Sequence, residues 1–357
     1  MNAFGVRYRT TIFGTSHGPF VGCTIEGLAA GTKIDEGLVQ GQLDRRRPGQ
    51  SLVTSQRKEE DRVEFPEGFR DGVTTGTPIV AIIRNQDVQS KSYADVARVP
   101  RPGHGDYPAL VKYGGKGDLR GGGQLSGRMT APLVVSGAVA RQILAPRGIR
   151  FYAHAIQIGS VTARSVTPEE IEANVERTPV RCADLDAADR MIAEIEAARK
   201  NRDSVGGIIE ATAAGVPVGV GEPFFGSVES SLAHLLFSIP AVKGVDFGAG
   251  FRSASMRGSE HNDPYVIEGA RVVTETNNAG GILGGITNGM PVTFRVAVKP
   301  TASIAKPQRS VDLETMSPTE VVVTGRHDPC IVPRAVPVVE NVAAMAILDL
   351  MLLGGFL

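Results

Sequence analysis

Between Arg101 and Thr130 the chain reads RPGHGDYPALVKYGGKGDLRGGGQLSGRMT. His104, Asp106 and Asp118 share this stretch with Arg101, Lys112, Lys116 and Arg120, and a triple glycine follows. Arginines form charge-assisted, often bidentate bonds to phosphate or carboxylate. Glycines let bare backbone approach a ligand closely. A segment that gives up burial to gather cations and open backbone suits a small anion. Arg120-Gly121-Gly122-Gly123, followed by a helical run from Ser126, also fits phosphate held at a helix N-terminus. It is not a Walker loop, since no Gly-Lys-Ser/Thr follows, and no strand at Rossmann spacing precedes it.

Other groups could join this chemistry. Gly14-Thr15-Ser16-His17-Gly18 sets an imidazole in a tight turn after a strand, where it could carry a proton near neutrality or simply cap the turn. Arg45-Arg46-Arg47-Pro48-Gly49 ends a helix, and three adjacent guanidiniums exceed what the helix dipole needs. Gly280–Gly285 offers bare apolar backbone to a flat ring, or a strand-edge bulge. Lys299-Pro300-Thr301-Ala302-Ser303 ends a strand with a cation and two hydroxyls, a candidate phosphate grip. Gly325-Arg326-His327-Asp328-Pro329 gathers a base, an acid and a cation. His154, His234 and His261 stand apart from such clusters and read as structural. No histidine pair has metal-ligand spacing, so no metal site is expected.

Composition narrows the ligand. The chain has 357 residues, 38 Lys+Arg and 38 Asp+Glu, for a formal net charge of +0. That argues against a nucleic-acid partner, which needs a net basic surface. Local arginine clusters in a neutral chain indicate a focused anion site. Cys23, Cys182 and Cys330 are widely spaced and odd in number, as expected of reduced thiols in a cytoplasmic protein. Neither a signal peptide nor a membrane span is expected, because no apolar run approaches about 20 residues.

The elements that must position these groups are legible in outline. Phe20–Ile25 and Val63–Arg84 read as strands with Gly- and Pro-containing turns. Asp35 caps a helix that Pro48-Gly49 ends. Ser126–Leu144 and Val336–Leu353 read as long apolar helices, Thr167-Pro168-Glu169-Glu170 as a capping box, and Leu185–Arg202 as a charged amphipathic helix. An internal echo runs through the chain. Ile25–Gly31 (IEGLAAG) matches Ile209–Gly215 (IEATAAG), and Gly72–Ile79 (GVTTGTPI) matches Gly285–Val292 (GITNGMPV), in the same order. Two similar strand-and-helix halves, about 5–150 and 205–355, should pack into one domain spanning 1–357, with an insert at about 160–204. The expected class is α+β, layered as a β-α-α-β sandwich.

Taken in order, GTSHG, DRRRPG, RPGHGD, RGGGQLSGR, NAGGILGG, KPTAS and GRHDPC resemble the signature blocks of the chorismate synthase family, from about Phe13 to the final helix. Outside that resemblance, the same anion loops would also serve a phosphosugar or nucleotide-phosphate transferase, or a non-catalytic anion-binding protein. The resemblance implies a lyase of the shikimate pathway. It would eliminate phosphate from 5-enolpyruvylshikimate 3-phosphate to give chorismate, with reduced FMN required and no net redox change. By this likeness His17 keeps the reduced flavin correctly protonated, His104 is the acid near the leaving phosphate, and Asp328 assists removal of the carbon-6 proton. Arg46, Arg101 and Arg326 clamp substrate anions, with Arg120 beside them. Flavin contacts come from Gln124, Leu125, Ser126, Pro240, Ala241, Gly284, Lys299, Pro300, Thr301, Ala302, Ser303 and Arg326. An NADP contact would fall on Arg46 and Leu52. The chain departs from the commoner pattern at Gln124-Leu125, Leu52, Asn278 and Ala302. The likeness further implies a homotetramer, with reduced flavin coming from an external flavin reductase that draws on NADPH.

Overall fold

The computed structural model describes residues 2–49, 60–86, 98–323, 325 and 327–357. One five-stranded sheet contains β1 (Ala3–Phe4), β2 (Arg9–Gly14), β3 (Phe20–Glu26), β4 (Val63–Glu67) and β7 (Ile79–Arg84), with the small hairpin β5 (Phe69–Arg70) and β6 (Val73–Thr74) beside it. The other contains β8 (Arg150–Ile158), β9 (Val161–Thr162), β10 (Gly207–Ala214), β11 (Val242–Phe247) and β16 (Val292–Val298). Their orders are β1-β2-β3-β7-β4 and β11-β16-β10-β8-β9, with all neighbours antiparallel. Three further hairpins, β12–β13 (Tyr265–Glu268, Arg271–Thr274), β14–β15 (Ile282–Leu283, Ile286–Thr287) and β17–β18 (Gln308–Asp312, Ser317–Val321), decorate the second half.

The helices are α1 (Glu36–Arg46), α2 (Asp106–Lys112), α3 (Thr130–Leu144), α4 (Pro168–Asn174), α5 (Leu185–Lys200), α6 (Val228–Phe237), α7 (Gly258–His261) and α8 (Val332–Leu353). α3 lies on β3 and β7 with α1 beside it, while α6 and α8 lie on the second sheet. α3 then packs along α8, so the layers run β-α-α-β, as expected for the α+β class. α3 and α8 are apolar on nearly every side because each is covered by a sheet and by the other helix. They meet tightly at Gly137, where a Cβ would fall 2.2 Å from the Asn341 carbonyl oxygen. Only a glycine lets the two backbones meet there.

Local signals place the helix starts. The Asp35 carboxylate accepts from the backbone of Gly37 and Leu38 to start α1, and a complete capping box at Thr167 and Glu170 starts α4. The helix expected from Ser126 begins at Thr130, after a 3-10 turn over Gly127–Met129 that Ser126 caps. The helix expected from Val336 begins four residues earlier at Val332, because Pro333 is tolerated in a first turn.

The two sheets have the same wiring. The order β2-β3-α1-β4-β7-α3 is repeated as β8-β10-α6-β11-β16-α8, and the corresponding strands lie as β2-β3-β7-β4 and β8-β10-β16-β11. One sequence echo falls on equivalent places, since Gly72–Ile79 and Gly285–Val292 lead into β7 and β16. The other is out of step: Ile25 pairs with Ile79 of β7, whereas the residue paired with Val292 of β16 is Ala213, four beyond Ile209. Segment 160–204, carrying α4 and α5, joins β8 to β10 and packs α4 and α5 against β8.

Candidate active site

A cavity of about 570 Å³ opens where the two halves meet. The first half contributes the end of α1, the loop Arg101–Gly105 and the glycine loop before α3. The second contributes Ile239–Ala241 after α6, Lys299–Ser303 after β16, and His327, Asp328 and the first turns of α8. Arg46, Arg101, Arg128, Lys299 and Arg334 line it against a single carboxylate, Asp328, among the described residues. Such an excess of cations in a confined space favours an anionic ligand.

Gly121, Gly122 and Gly123 all have left-handed φ, at 61, 85 and 53°, a run that side-chain-bearing residues would resist. The bare Gly121 also makes room for the buried His17, since a Cβ there would lie 2.3 Å from its Cδ2 atom. The loop therefore forms a cavity wall with His17 directly behind it.

His104 is held from two sides. In the neutral ring Nδ1 donates to the Pro102 carbonyl at 3.1 Å, and Nε2 accepts from the Ser303 hydroxyl at 2.8 Å. Burial, followed by the neighbouring Arg101, pushes its pKa below the ordinary histidine value. Arg101 grips Asp106 bidentately at 2.8 and 2.9 Å. Burial alone would raise the Asp106 carboxyl, but Arg101 outweighs it and keeps the acid ionised. Lys299 donates to the Gly103 carbonyl at 2.6 Å, tying the His104 loop to the second half.

Beneath the cavity, Asp61 joins two arginines. Its fully buried carboxylate accepts from Arg46 Nη2 at 2.8 Å and from Arg128 Nη1. Burial opposes ionisation of Asp61, yet Arg46 and Arg128 together hold its carboxyl below the usual range. Arg128 also donates from Nε to Asn85 at 2.8 Å and from Nη2 to the Arg84 carbonyl at 3.1 Å, so its whole fork is anchored inside the protein. On the opposite wall Arg334 donates to Asp328 at 2.6 Å and, through Nε, to the Arg46 carbonyl at 3.2 Å.

The structure thus brings Arg46, Arg101, His104, Leu125, Ser126, Pro240, Ala241, Lys299, Pro300, Thr301, Ala302, Ser303 and Asp328 to one cavity. His17 stands behind its glycine wall. Arg120 and Gln124 do not line it; Arg120 is paired with Asp118 at the surface, and Gln124 is exposed. Gly284 lies in the β14–β15 turn, and the adjoining Gly285 carbonyl accepts from Val228 at the start of α6. Ile239–Ala241 follow the far end of that ten-residue helix, roughly 15 Å away by helical rise. Leu52 and Arg326 fall outside the described residues. Sequence reasoning missed Asp61 and Arg334. A lone arginine in the first turn of a mostly apolar helix was the available signal for Arg334, whereas Asp61 had none.

The cavity also suits a phosphorylated planar cofactor. Thr301 lines the cavity, and its Oγ1 is buried and without a hydrogen-bond partner, a need that a phosphate oxygen would satisfy. Ile239, Pro240 and Ala241 add an apolar wall on the same side. No group of three or more His, Cys, Asp or Glu able to hold a metal occurs among the described residues.

An α+β sandwich of two like-wired halves with a cationic, glycine-walled cavity at its seam defines a protein built to hold a small anionic ligand. The family model for chorismate synthase matches residues 8–352. The chain is 52% identical to the chorismate synthase of Methanocella arvoryzae, over 100% of this chain and 95% of that protein. It is 51% identical to the chorismate synthase of Korarchaeum cryptofilum, over 97% of this chain and 96% of the relative. A crystal structure of chorismate synthase superposes with a TM-score of 0.79 at 27% identity, covering 98% of this chain and 93% of the other. The chain belongs to the chorismate synthase family.

Proposed function

We propose that this chain performs the trans-1,4-elimination of phosphate from 5-enolpyruvylshikimate 3-phosphate, giving chorismate. The observation that carries this reading is the cavity itself, where Arg46, Arg101, Arg128, Lys299 and Arg334 outnumber the carboxylates that pair with them, Asp61, Asp106 and Asp328, beside a glycine wall. The substrate brings a phosphate and two carboxylates, matching that charge. In the reaction the C3–O bond breaks with its electron pair leaving on phosphate, the ring's C1–C2 double bond shifts to C2–C3, and the C6–H pair becomes the C1–C6 double bond as the proton departs. When bound, reduced FMN supplies an electron-rich ring that lends charge to the substrate as phosphate leaves and recovers it, so no net redox change results.

Arg46, Arg101 and Arg334 orient the anions and Arg128 fixes the floor beneath them. Such positioning and preorganised charge supply most of the barrier reduction in sites of this kind. His104 delivers a proton to the departing phosphate. Burial and Arg101 disfavour its charged form in the free protein, and an arriving phosphate restores it. His17, behind Gly121, holds a proton beside the flavin. Asp328, oriented by Arg334, accepts the carbon-6 proton. Lys299, Thr301 and Ser303 would hold the flavin phosphate, with Ile239–Ala241 against the ring. Arg326 joins the clamp in this reading.

The chain is further proposed to work as one body of two halves and as a homotetramer. The exposed Phe224, Phe225, Phe251 and Ile267, between 81% and 98% exposed, support assembly with further copies. Reduced flavin is proposed to come from a separate reductase drawing on NADPH, in the cytoplasm. Among the described residues α8 alone is long and apolar enough to span a bilayer, and it is enclosed in the core.

The decisive assay is anaerobic. Phosphate and chorismate should form from the enolpyruvyl substrate with reduced FMN and scarcely at all with oxidised FMN. Turnover indifferent to flavin state would sink the proposal.

A further inference from the structure

Segment 160–204 lies outside the cavity, yet two of its side chains reach the helices that carry cavity arginines. Glu176, just after α4, accepts from Arg45 Nε at 2.6 Å. Arg45 adjoins Arg46 at the end of α1 and also pairs with the buried Glu340 of α8. Arg181 donates from Nη1 to the Pro333 carbonyl at 2.8 Å, immediately before Arg334. Glu176 and Arg181 are themselves joined at 3.2 Å.

The Pro333 carbonyl has a particular need for this donor. Its helical partner would be the N–H four residues on, and that residue is Pro337, which has none. A buried carbonyl left unpaired is costly, and the Arg181 guanidinium closes the gap. Arg181 is itself firmly held. Its side chain is 7% exposed, and its own carbonyl accepts from Ala155 of β8 at 2.8 Å. Its backbone sits at φ 52°, a left-handed conformation that a non-glycine residue keeps only where its surroundings impose it. A surface ornament would not require such an arrangement.

We propose that Glu176 and Arg181 are positioning residues, and that the inserted segment is a brace. It holds the end of α1 and the first turn of α8, and hence Arg46 and Arg334, at the spacing a substrate with several anionic groups needs. The identity of that substrate rests on the elimination reading above; the brace itself rests on the contacts just described.

The test uses the full chain with Arg181→Ala and Glu176→Gln. KM for the enolpyruvyl phosphate should rise roughly tenfold with kcat little changed, because displaced clamps lose binding before chemistry. Affinity for inorganic phosphate, read by calorimetry without flavin, should fall in parallel. Arg181→Lys, which keeps the charge but not the fork, should recover part of the loss. In an Arg46→Lys, Arg334→Lys background, Arg181→Ala should add little further loss, since both routes end on those clamps. Glu172→Gln, whose carboxylate pairs only loosely with Arg150 at 3.6 Å on the exposed side of α4, should leave KM unchanged. Unaltered KM and phosphate affinity in Arg181→Ala, with only a lower melting temperature, would overturn the brace. If the parent chain fails to turn over the enolpyruvyl phosphate while the variants still lose phosphate affinity, the elimination reading fails and the brace stands.

Discussion

The two halves of this molecule share one wiring diagram and end on opposite chemistry. α1 and α6 occupy equivalent places, after β3 and β10, and both run out toward the cavity. α1 ends in Arg45-Arg46-Arg47-Pro48-Gly49, whereas α6 ends in Ser238-Ile239-Pro240-Ala241. The same helix end is a guanidinium cluster in one half and an apolar wall in the other. The approaches to α3 and α8 differ likewise: three left-handed glycines lead into one, and His327-Asp328 into the other. The shared architecture thus decides where groups converge, while the residues at the helix ends decide what is bound. A site of two unlike faces suits two unlike ligands, an anionic substrate on one side and a flat ring on the other.

The sharpest break in that comparison should come from the histidines, which act across it. His104→Ala and His17→Ala should each lower kcat by about a hundredfold or more, the usual worth of a positioned proton donor, while flavin affinity stays near that of the parent. Stopped-flow turnover and flavin titration would check this; normal turnover in both variants removes them from the mechanism.

Next comes a matched pair at the two helix ends. Arg46→Lys keeps the charge but loses the fork that spans Asp61 and Thr130, and KM for the phosphorylated substrate should rise on the order of tenfold or more. Ile239→Ala should leave that KM alone and weaken flavin binding by about tenfold, through lost apolar contact. Equal effects of both changes on both ligands would abolish the division of labour between the halves.

The smallest effect is a displacement in pH. The free protein holds His104 below the ordinary pKa of about 6.5, because of burial and then Arg101. A required acid is lost as pH rises through its pKa. The alkaline fall of kcat/KM, which reports the free protein, should therefore lie at lower pH than that of kcat, where bound phosphate has raised the histidine. Coincident limbs in steady-state profiles would show that the substrate does not restore the proton.

Much of the site could be read from residue order because its parts are local. The caps at Asp35 and Thr167, the triple glycine, the RRRPG helix end and the KPTAS loop each declare a conformation or charge within a few residues. His17 and His104 stood out for the same reason. The partnerships did not. Asp61 reaches Arg46 and Arg128 from 15 and 67 residues away, and Ser303 meets His104 across 199. Arg181 supplies a bond that Pro337 cannot, across 152 residues from its acceptor.

By itself, the order of residues determined the class of fold, the echo between halves and the kinds of chemistry available, since propensity, capping and charge act over short range. Only the packed structure decided which cation answers which carboxylate, that Arg334 faces Asp328, and that Gly284 lies away from the cavity within one chain. Those choices follow from the meeting of α3 and α8 and of the two sheets around them. Buried polar groups had to find partners among whatever the packing brought within reach.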